Sequence, residues 1–217
     1  AHLTQAEPRP LSGGVHTNRK HESAIKHVTG RAEYTDDIAE PIGTLHAYLG
    51  LSERAHAKLR SVDLDAVRTA PGVIDVLTAN DIPGVNDVSP TGRDDEPVLA
   101  TDKIEFWGQP IFAVIAETRD QARRAAHLAQ IDYEDLPHVL EADIARDADL
   151  PYVTPPLTLK RGEAKEAMAK ATHRIKGQMC VGGQDHMYLE GHIAFAIPGE
   201  DEDVIVHSST QHPTEAQ

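Results

Sequence analysis

Apolar and polar side chains alternate along residues 43–51, and this period of two predicts a β-strand. The apolar members of the alternation share one face and are Leu45, Ala47, Leu49 and Leu51. The members of the opposite face are Thr44, His46 and Tyr48. The sequence therefore predicts a half-buried strand here.

A continuous apolar run over residues 110–116 is typical of a strand that is covered on both faces. Thr118 follows it and is a suitable N-cap for a helix over residues 119–130, because a threonine hydroxyl can accept a hydrogen bond from a free backbone N–H. A further strand is expected over residues 131–134. Strand, helix and strand at this spacing predict an α/β domain with a mixed sheet.

The remaining pattern divides the chain into four predicted segments. Residues 1–20 are polar and contain prolines and glycines, which favours an extended arm, and residues 21–137 form the α/β domain. Residues 138–160 read as a linker with little periodicity, and residues 161–217 as an incomplete domain. The elements predicted within these segments are a helix capped by Ser61 or Asp63, a helix over 163–170, and strands over 73–77, 172–179, 193–197 and 204–208.

Charge and cysteine content exclude several classes of function. The formal net charge of the 217-residue chain is −14, which disfavours binding to a phosphate backbone. No apolar run approaches the roughly 18 residues of a membrane span, and the first residues lack the order of a signal peptide, so we expect a cytoplasmic protein. Cys180 is the only cysteine, so this chain by itself cannot hold an iron–sulfur cluster.

Three stretches of sequence resemble the xanthine dehydrogenase/aldehyde oxidase family. They are residues 28–38 (VTGRAEYTDDI), residues 107–116 (WGQPIFAVIA) leading into 132–137 (DYEDLP), and residues 182–190 (GGQDHMYLE) followed by 208–211 (SSTQ). Their order is similar to that of the N-terminal part of the molybdenum-binding large subunit, with xanthine dehydrogenases as the nearest branch. The resemblance runs from about residue 15 to the end of the chain.

This resemblance implies a fold, an activity and partners. The fold is an α/β (α+β) arrangement, in which an a/b hammerhead domain precedes the beginning of a molybdopterin-binding α+β domain. The activity is hydroxylation of hypoxanthine and xanthine to urate at a molybdenum–molybdopterin cofactor, with electrons leaving through [2Fe–2S] clusters and FAD to NAD. The implied partners are the rest of the molybdenum-binding subunit and an iron–sulfur/FAD subunit or domain, in a dimer of heteromers.

The resemblance also assigns candidate site residues. Gln184 matches the family glutamine whose amide donates a hydrogen bond to an oxygen on molybdenum, which needs no charge and no direct bond to the metal. Gly182 and Gly183 would let the backbone pass close to a bulky cofactor, and Gln211 is a further candidate near the pterin. The family's catalytic base and substrate-orienting residues have no counterpart here, so this segment alone is expected to be inactive.

Other readings of the same sequence stay open. His186, Glu190 and His192 could be taken for metal ligands, although their order differs from that of zinc peptidases and a hydrogen-bonded scaffold is the preferred interpretation. The chain could also come from a related aldehyde or azaheterocycle hydroxylase. A non-catalytic hammerhead scaffold module and a histidine-rich metal-binding protein or hydrolase are the alternatives outside the family.

Overall fold

The computed structural model describes residues 20–90, 92–188, 191–201 and 203–216. Apart from Lys20, the predicted N-terminal arm lies outside the described residues. The chain divides into two compact units, one over residues 41–184 and one that combines residues 1–40 with residues 185–217. The four predicted segment boundaries stay a prediction, and the two units are described separately.

The described residues form short helices and strands. The helices are α1 (Ala24–Val28), α2 (Asp65–Arg68), α3 (Arg119–Ala126), α4 (Ala142–Asp147), α5 (Ala164–Lys170) and α6 (Pro213–Ala216). The strands are β1 (His46–Leu51), β2 (Ala57–Asp63), β3 (Val73–Leu77), β4 (Lys103–Ile104), β5 (Pro110–Ala116), β6 (Gln130–Asp135), β7 (Ala194–Pro198) and β8 (Val204–Ser208). Within the described ranges, no helix is long and apolar enough to cross a membrane.

The core of the 41–184 unit lies between α3 and a three-stranded sheet in the order β1–β5–β3. β5 is the central strand, and its side chains Phe112, Val114 and Ala116 are almost completely buried. The small side chains Ala122 and Ala125 of α3 are buried in the same cluster. A helix with alanines on its inner face can approach a sheet closely, so the alanine spacing seen in the sequence determines which side of α3 is covered.

β1 turns its polar face inward, and this corrects the expectation from its alternation. Tyr48 is half-buried and Gly50 is buried, whereas Leu49 and Leu51 are 44% and 47% exposed. Gly50 lies against the ring of Phe112, and a Cβ atom at this position would overlap that ring. The aromatic ring therefore fills the space that a larger residue in β1 would need, and the leucine face is left outside.

A second three-stranded sheet has the order β4–β2–β6. Ala57 and Leu59 of β2 and Tyr133 of β6 turn toward the core, and Arg60 and Glu134 form an ion pair across the two strands. The pairing of β2 with β6 shifts between Leu59 and Ser61. Such a shift interrupts the period of two, which explains why the sequence pattern did not predict this strand.

The comparison of predicted and observed elements confirms the fold class and corrects some details. The strands over 73–77, 110–116 and 204–208 match β3, β5 and β8, and the helix over 163–170 matches α5. All pairings between the described strands are antiparallel, so the predicted mixed sheet is wrong in that respect. The expected strand over 172–179 is irregular and exposed, and no described strand pairs with it. In the predicted linker the structure has a helix, α4, that was not expected.

Thr118 caps α3 as the sequence predicts. Its hydroxyl accepts a hydrogen bond from the backbone N–H of Gln121 at 3.2 Å and donates one to the side-chain oxygen of Gln121 at 2.8 Å. In the first turn, Arg123 donates a hydrogen bond to Asp120 and, with Arg124, lowers the pKa of that carboxyl. These contacts satisfy backbone and side-chain groups at the start of the helix that covers the central sheet.

We expect Thr118→Ala to lower the free energy of unfolding of the 41–184 unit by about 1 kcal/mol, because the backbone N–H of Gln121 loses its acceptor. Chemical denaturation followed by hydrogen exchange in α3 measures the change. Thr172→Ala is the matched control, since Thr172 is exposed in an irregular segment. Equal effects of the two substitutions would contradict the capping role.

The unit that contains residues 185–217 has one antiparallel hairpin, β7–β8. Phe195 lies opposite His207, and their rings stack with centroids 6.0 Å apart. The acidic turn between the strands is closed by the N–H of Gly199, which donates to the backbone oxygen of Asp203 at 2.6 Å. Val204, Ile205 and Val206 remain 57–59% exposed, so this hairpin does not bury its apolar side chains within the described residues.

Candidate cofactor-binding segment

Gln184 lies in an irregular, exposed segment that follows α5. No helix or strand is formed between residues 171 and 188. The side chain of Gln184 is exposed and has no hydrogen-bond partner among the described residues. Its amide group therefore keeps two donors and one acceptor that other groups can use.

Gly182 and Gly183 precede this glutamine and have open space around them. A Cβ atom added to either residue would meet no other atom within 4 Å, and neither residue has a positive φ. Their backbone conformation is therefore open to any L-residue, and what glycine provides is access to the main chain. This fits the predicted close approach of a bulky group to the backbone, although no contact within the chain requires it.

The chemistry of this segment fits the side of a molybdenum cofactor that carries anionic oxygen ligands. A neutral amide can donate a hydrogen bond to such an oxygen without releasing a proton and without adding charge. Exposed glycine backbone beside it leaves room for a large cofactor. The free amide of Gln184 and the open backbone of Gly182 and Gly183 thus match the donor and the space that the resemblance implies.

Two aromatic side chains after Gln184 form a stacked pair that the sequence analysis did not identify. The ring of Tyr188 lies parallel to the ring of His192, with centroids 4.4 Å apart and an interplanar angle of 12°. Their separation of four residues was the available signal, because even spacing would bring two side chains to one side of an extended backbone. The pair holds His192 against an aromatic ring, and the hydrogen-bonded scaffold stays a prediction.

The possible metal site at His186, Glu190 and His192 can be followed only in part. Glu190 lies outside the described residues, and the structure describes both histidines. Among the residues that it describes, no group of three or more His, Cys, Asp and Glu side chains is arranged to hold a metal ion.

Gln211 follows β8 and is exposed in the turn before α6. The neighbouring Ser209 connects the residues before β7 with those after β8. Its hydroxyl accepts a hydrogen bond from the N–H of Ile193 at 3.0 Å and lies 2.9 Å from the backbone oxygen of Gly191. The hydroxyl of Thr210 accepts from the N–H of His212 at 3.0 Å. Ser209 and Thr210 therefore shape the turn that presents Gln211, a role that the sequence analysis did not give them.

Gln109 has a structural role in the 107–116 stretch. It is buried, and its side-chain oxygen accepts a hydrogen bond from the backbone N–H of Glu105 at 2.8 Å. Trp107 of the same stretch is 68% exposed.

Two family models match the chain. The model described as "Aldehyde oxidase and xanthine dehydrogenase, a/b hammerhead domain" matches residues 29–137. The model described as "Molybdopterin cofactor-binding domain" matches residues 148–217, which include the Gln184 segment and Gln211.

Individual proteins and structures show the same similarity. Xanthine dehydrogenase of Dictyostelium discoideum is 39% identical over 216 residues, which are 99% of this chain and 15% of that protein. Aldehyde oxidase 2 of Rattus norvegicus is 39% identical over 213 residues, which are 96% of this chain and 15% of that protein. A solved structure of the aldehyde oxidoreductase from Desulfovibrio gigas is 30% identical with a TM-score of 0.73, and the match covers 87% of this chain and 23% of that one.

The chain thus combines an a/b hammerhead domain with residues of a molybdopterin cofactor-binding domain. It belongs to the xanthine dehydrogenase/aldehyde oxidase family of molybdenum oxidoreductases. The chain spans about 15% of the length of the curated relatives named above.

Proposed function

We propose that this chain is the N-terminal part of the molybdenum-binding subunit of a xanthine dehydrogenase, which hydroxylates hypoxanthine and xanthine to urate. The observation that carries the proposal is the free amide of Gln184 within residues that match a molybdopterin cofactor-binding domain. The identity of 39% to a xanthine dehydrogenase over nearly the whole chain supports a molybdenum hydroxylase of this family.

In this proposal the chain positions the cofactor and does not supply the catalytic base. Gln184 would hold the cofactor through its amide hydrogen, and the open backbone at Gly182 and Gly183 would leave room for it. Gln211 is held in its turn by its neighbours and is a further candidate for a polar contact with the pterin. When it is bound, the molybdenum–molybdopterin group supplies the redox chemistry that amino-acid side chains lack.

The proposed electron path lies outside this chain. An iron–sulfur cluster of the [2Fe–2S] type needs several cysteine thiolates, and this chain has the single Cys180. The clusters and FAD therefore belong to a partner chain or domain, with NAD as the final acceptor. We propose that the rest of the molybdenum-binding subunit joins this chain in a cytoplasmic dimer of heteromers.

A related aldehyde or azaheterocycle hydroxylase is the second candidate function. The aldehyde oxidase 2 of Rattus norvegicus has the same 39% identity as the xanthine dehydrogenase of Dictyostelium discoideum. Residues that read the substrate would come from outside this chain, so the two functions place the same demands on Gln184. A non-catalytic hammerhead scaffold, the third reading, would bind no cofactor.

Cofactor content and product analysis of the assembled protein test the proposal. We expect molybdenum and pterin in equimolar amounts, and hydroxylation of xanthine at least tenfold faster than that of an aldehyde or an unsubstituted N-heterocycle at equal concentration. The reverse preference with the cofactor present would establish the second candidate. Assembled protein without molybdenum and pterin would overturn both enzymatic functions and favour the scaffold.

A further inference from the structure

The outward face of the first sheet carries apolar side chains from all three strands, together with the carboxylate of Asp75. We call it the outer leucine face, and its members are Ala47, Leu49, Leu51, Leu77, Ala113 and Ile115. Leu49 lies opposite Ala113 of the central strand, and Ala113 lies opposite Leu77 of the other edge strand. These three residues form a continuous cross-strand row.

Within the described residues of the 41–184 unit, the outer leucine face is only partly covered. Leu49, Leu51 and Leu77 are 44%, 47% and 36% exposed, while the opposite face of the same sheet is buried under α3. The charged residue in the neighbouring row, Asp75, lies 3.9 Å from Arg68, which offsets its charge. A contiguous apolar surface of this kind marks an interface, because soluble proteins rarely leave such patches in water.

The sequence of the central strand supports a second cover over this face. β5 is an uninterrupted apolar run, and strands with such runs are normally covered on both faces. α3 covers only the face that carries Phe112 and Val114. The alternation in β1 also indicates a cover over this face, since it places Leu49 and Leu51 on the exposed side of the sheet.

We propose that the outer leucine face is the docking surface for an apolar surface of the remaining part of the molybdenum-binding subunit. This inference rests on the proposed function, which places the chain in a longer subunit. The relatives support that occupant, because the matched region is 15% of their length and most of their residues lie beyond it.

Further open apolar side chains in the same unit favour a large partner over a second copy of this chain. Val153, Leu157 and Leu159 are 93–98% exposed, and they lie in an irregular segment instead of on a compact patch. A two-fold pairing of identical patches would cover the outer leucine face and leave this segment in water. The remaining part of a large subunit has enough surface to cover both the outer leucine face and this irregular segment.

Cysteine accessibility in the assembled protein tests the docking surface. Leu49→Cys and Leu77→Cys place a thiol on the outer leucine face, and Leu128→Cys is the matched control. Leu128 is a leucine of nearly equal exposure, 47%, directly after the helix that covers the opposite face of the sheet. Labelling with a maleimide, resolved by peptide mass spectrometry, should be at least tenfold slower at residues 49 and 77 than at residue 128.

Labelling at residues 49 and 77 that is as fast as at residue 128 would overturn the proposal. Protection that disappears on dilution, together with loss of a dimer by light scattering, would assign the face to a second copy and overturn it as well. Molybdenum and pterin are measured in the same preparations. Missing cofactor with intact protection would therefore count against the proposed function alone, and full cofactor with fast labelling would count against the docking surface alone.

Discussion

Phe112→Ala is expected to lower the free energy of unfolding of the hammerhead unit by about 3–5 kcal/mol, the usual cost of emptying a large core site. Phe112 is 1% exposed, and its ring packs over Gly50 of the neighbouring strand. Because glycine has no side chain, no atom of β1 can move into the vacated space. Denaturation of the assembled protein, followed by hydrogen exchange in β1 and β5, measures the loss.

The phenylalanine at residue 106 provides the matched control, since it is 55% exposed in the turn before β5. Phe106→Ala should change the same free energy by less than about 0.5 kcal/mol, as is usual for exposed positions. Similar losses for the two variants would show that Phe112 is not the central packing residue.

The contact between Gly50 and Phe112 predicts that substitutions at the two positions are not additive. Gly50→Ala alone should cost about 1–3 kcal/mol, because the new methyl group overlaps the ring. In the Phe112→Ala background the same change should cost much less, since the space is then empty. Equal costs in the two backgrounds would contradict the direct contact.

Gln184→Ala is expected to lower kcat of the assembled enzyme about ten- to a hundredfold, the range found when a hydrogen-bond partner of a metal ligand is removed. The side chain of Gln184 makes no hydrogen bond within the described residues, so its removal should not disturb the local structure. Steady-state kinetics with xanthine, together with molybdenum content, separates lost turnover from lost cofactor.

Two further variants sharpen this test. Gln178→Ala removes an exposed glutamine from the same irregular segment and should leave kcat unchanged. Gln184→Glu replaces a donor with a carboxylate that can only accept, and it places a negative charge near an anionic oxygen, so its kcat should fall at least as far as that of Gln184→Ala. Wild-type kcat in Gln184→Ala with full molybdenum content would show that the amide has no part in turnover.

Much of the hammerhead unit could be predicted because its elements carry strong local signals. The apolar run of β5 and the Thr118 cap of α3 each follow from a pattern within about ten residues. β2 was not predicted, because the shift in its pairing beside Leu59 breaks the alternation. The strand expected over 172–179 failed for another reason, since a strand also requires a neighbour for its backbone groups.

The candidate site, too, could be predicted from the sequence only in part. Gln184 is a candidate only through the resemblance, because a single glutamine after two glycines has no distinctive chemistry. The stacking of Tyr188 on His192 and the hydrogen bond between Ile193 and Ser209 are contacts between side chains or distant residues. The pattern of apolar and polar residues does not predict such contacts. Their positions could be read from the sequence, but their contacts could not.

Motif order and short-range periodicity are enough to predict the fold class and the family, since both are properties of the sequence. Tertiary structure alone decided which face of β1 is buried. Alternation assigns residues to two faces, but the choice of the inner face depends on what packs there. In this chain the ring of Phe112 fills the space over Gly50 on the side that α3 covers, and Leu49 and Leu51 are therefore left on the outer face.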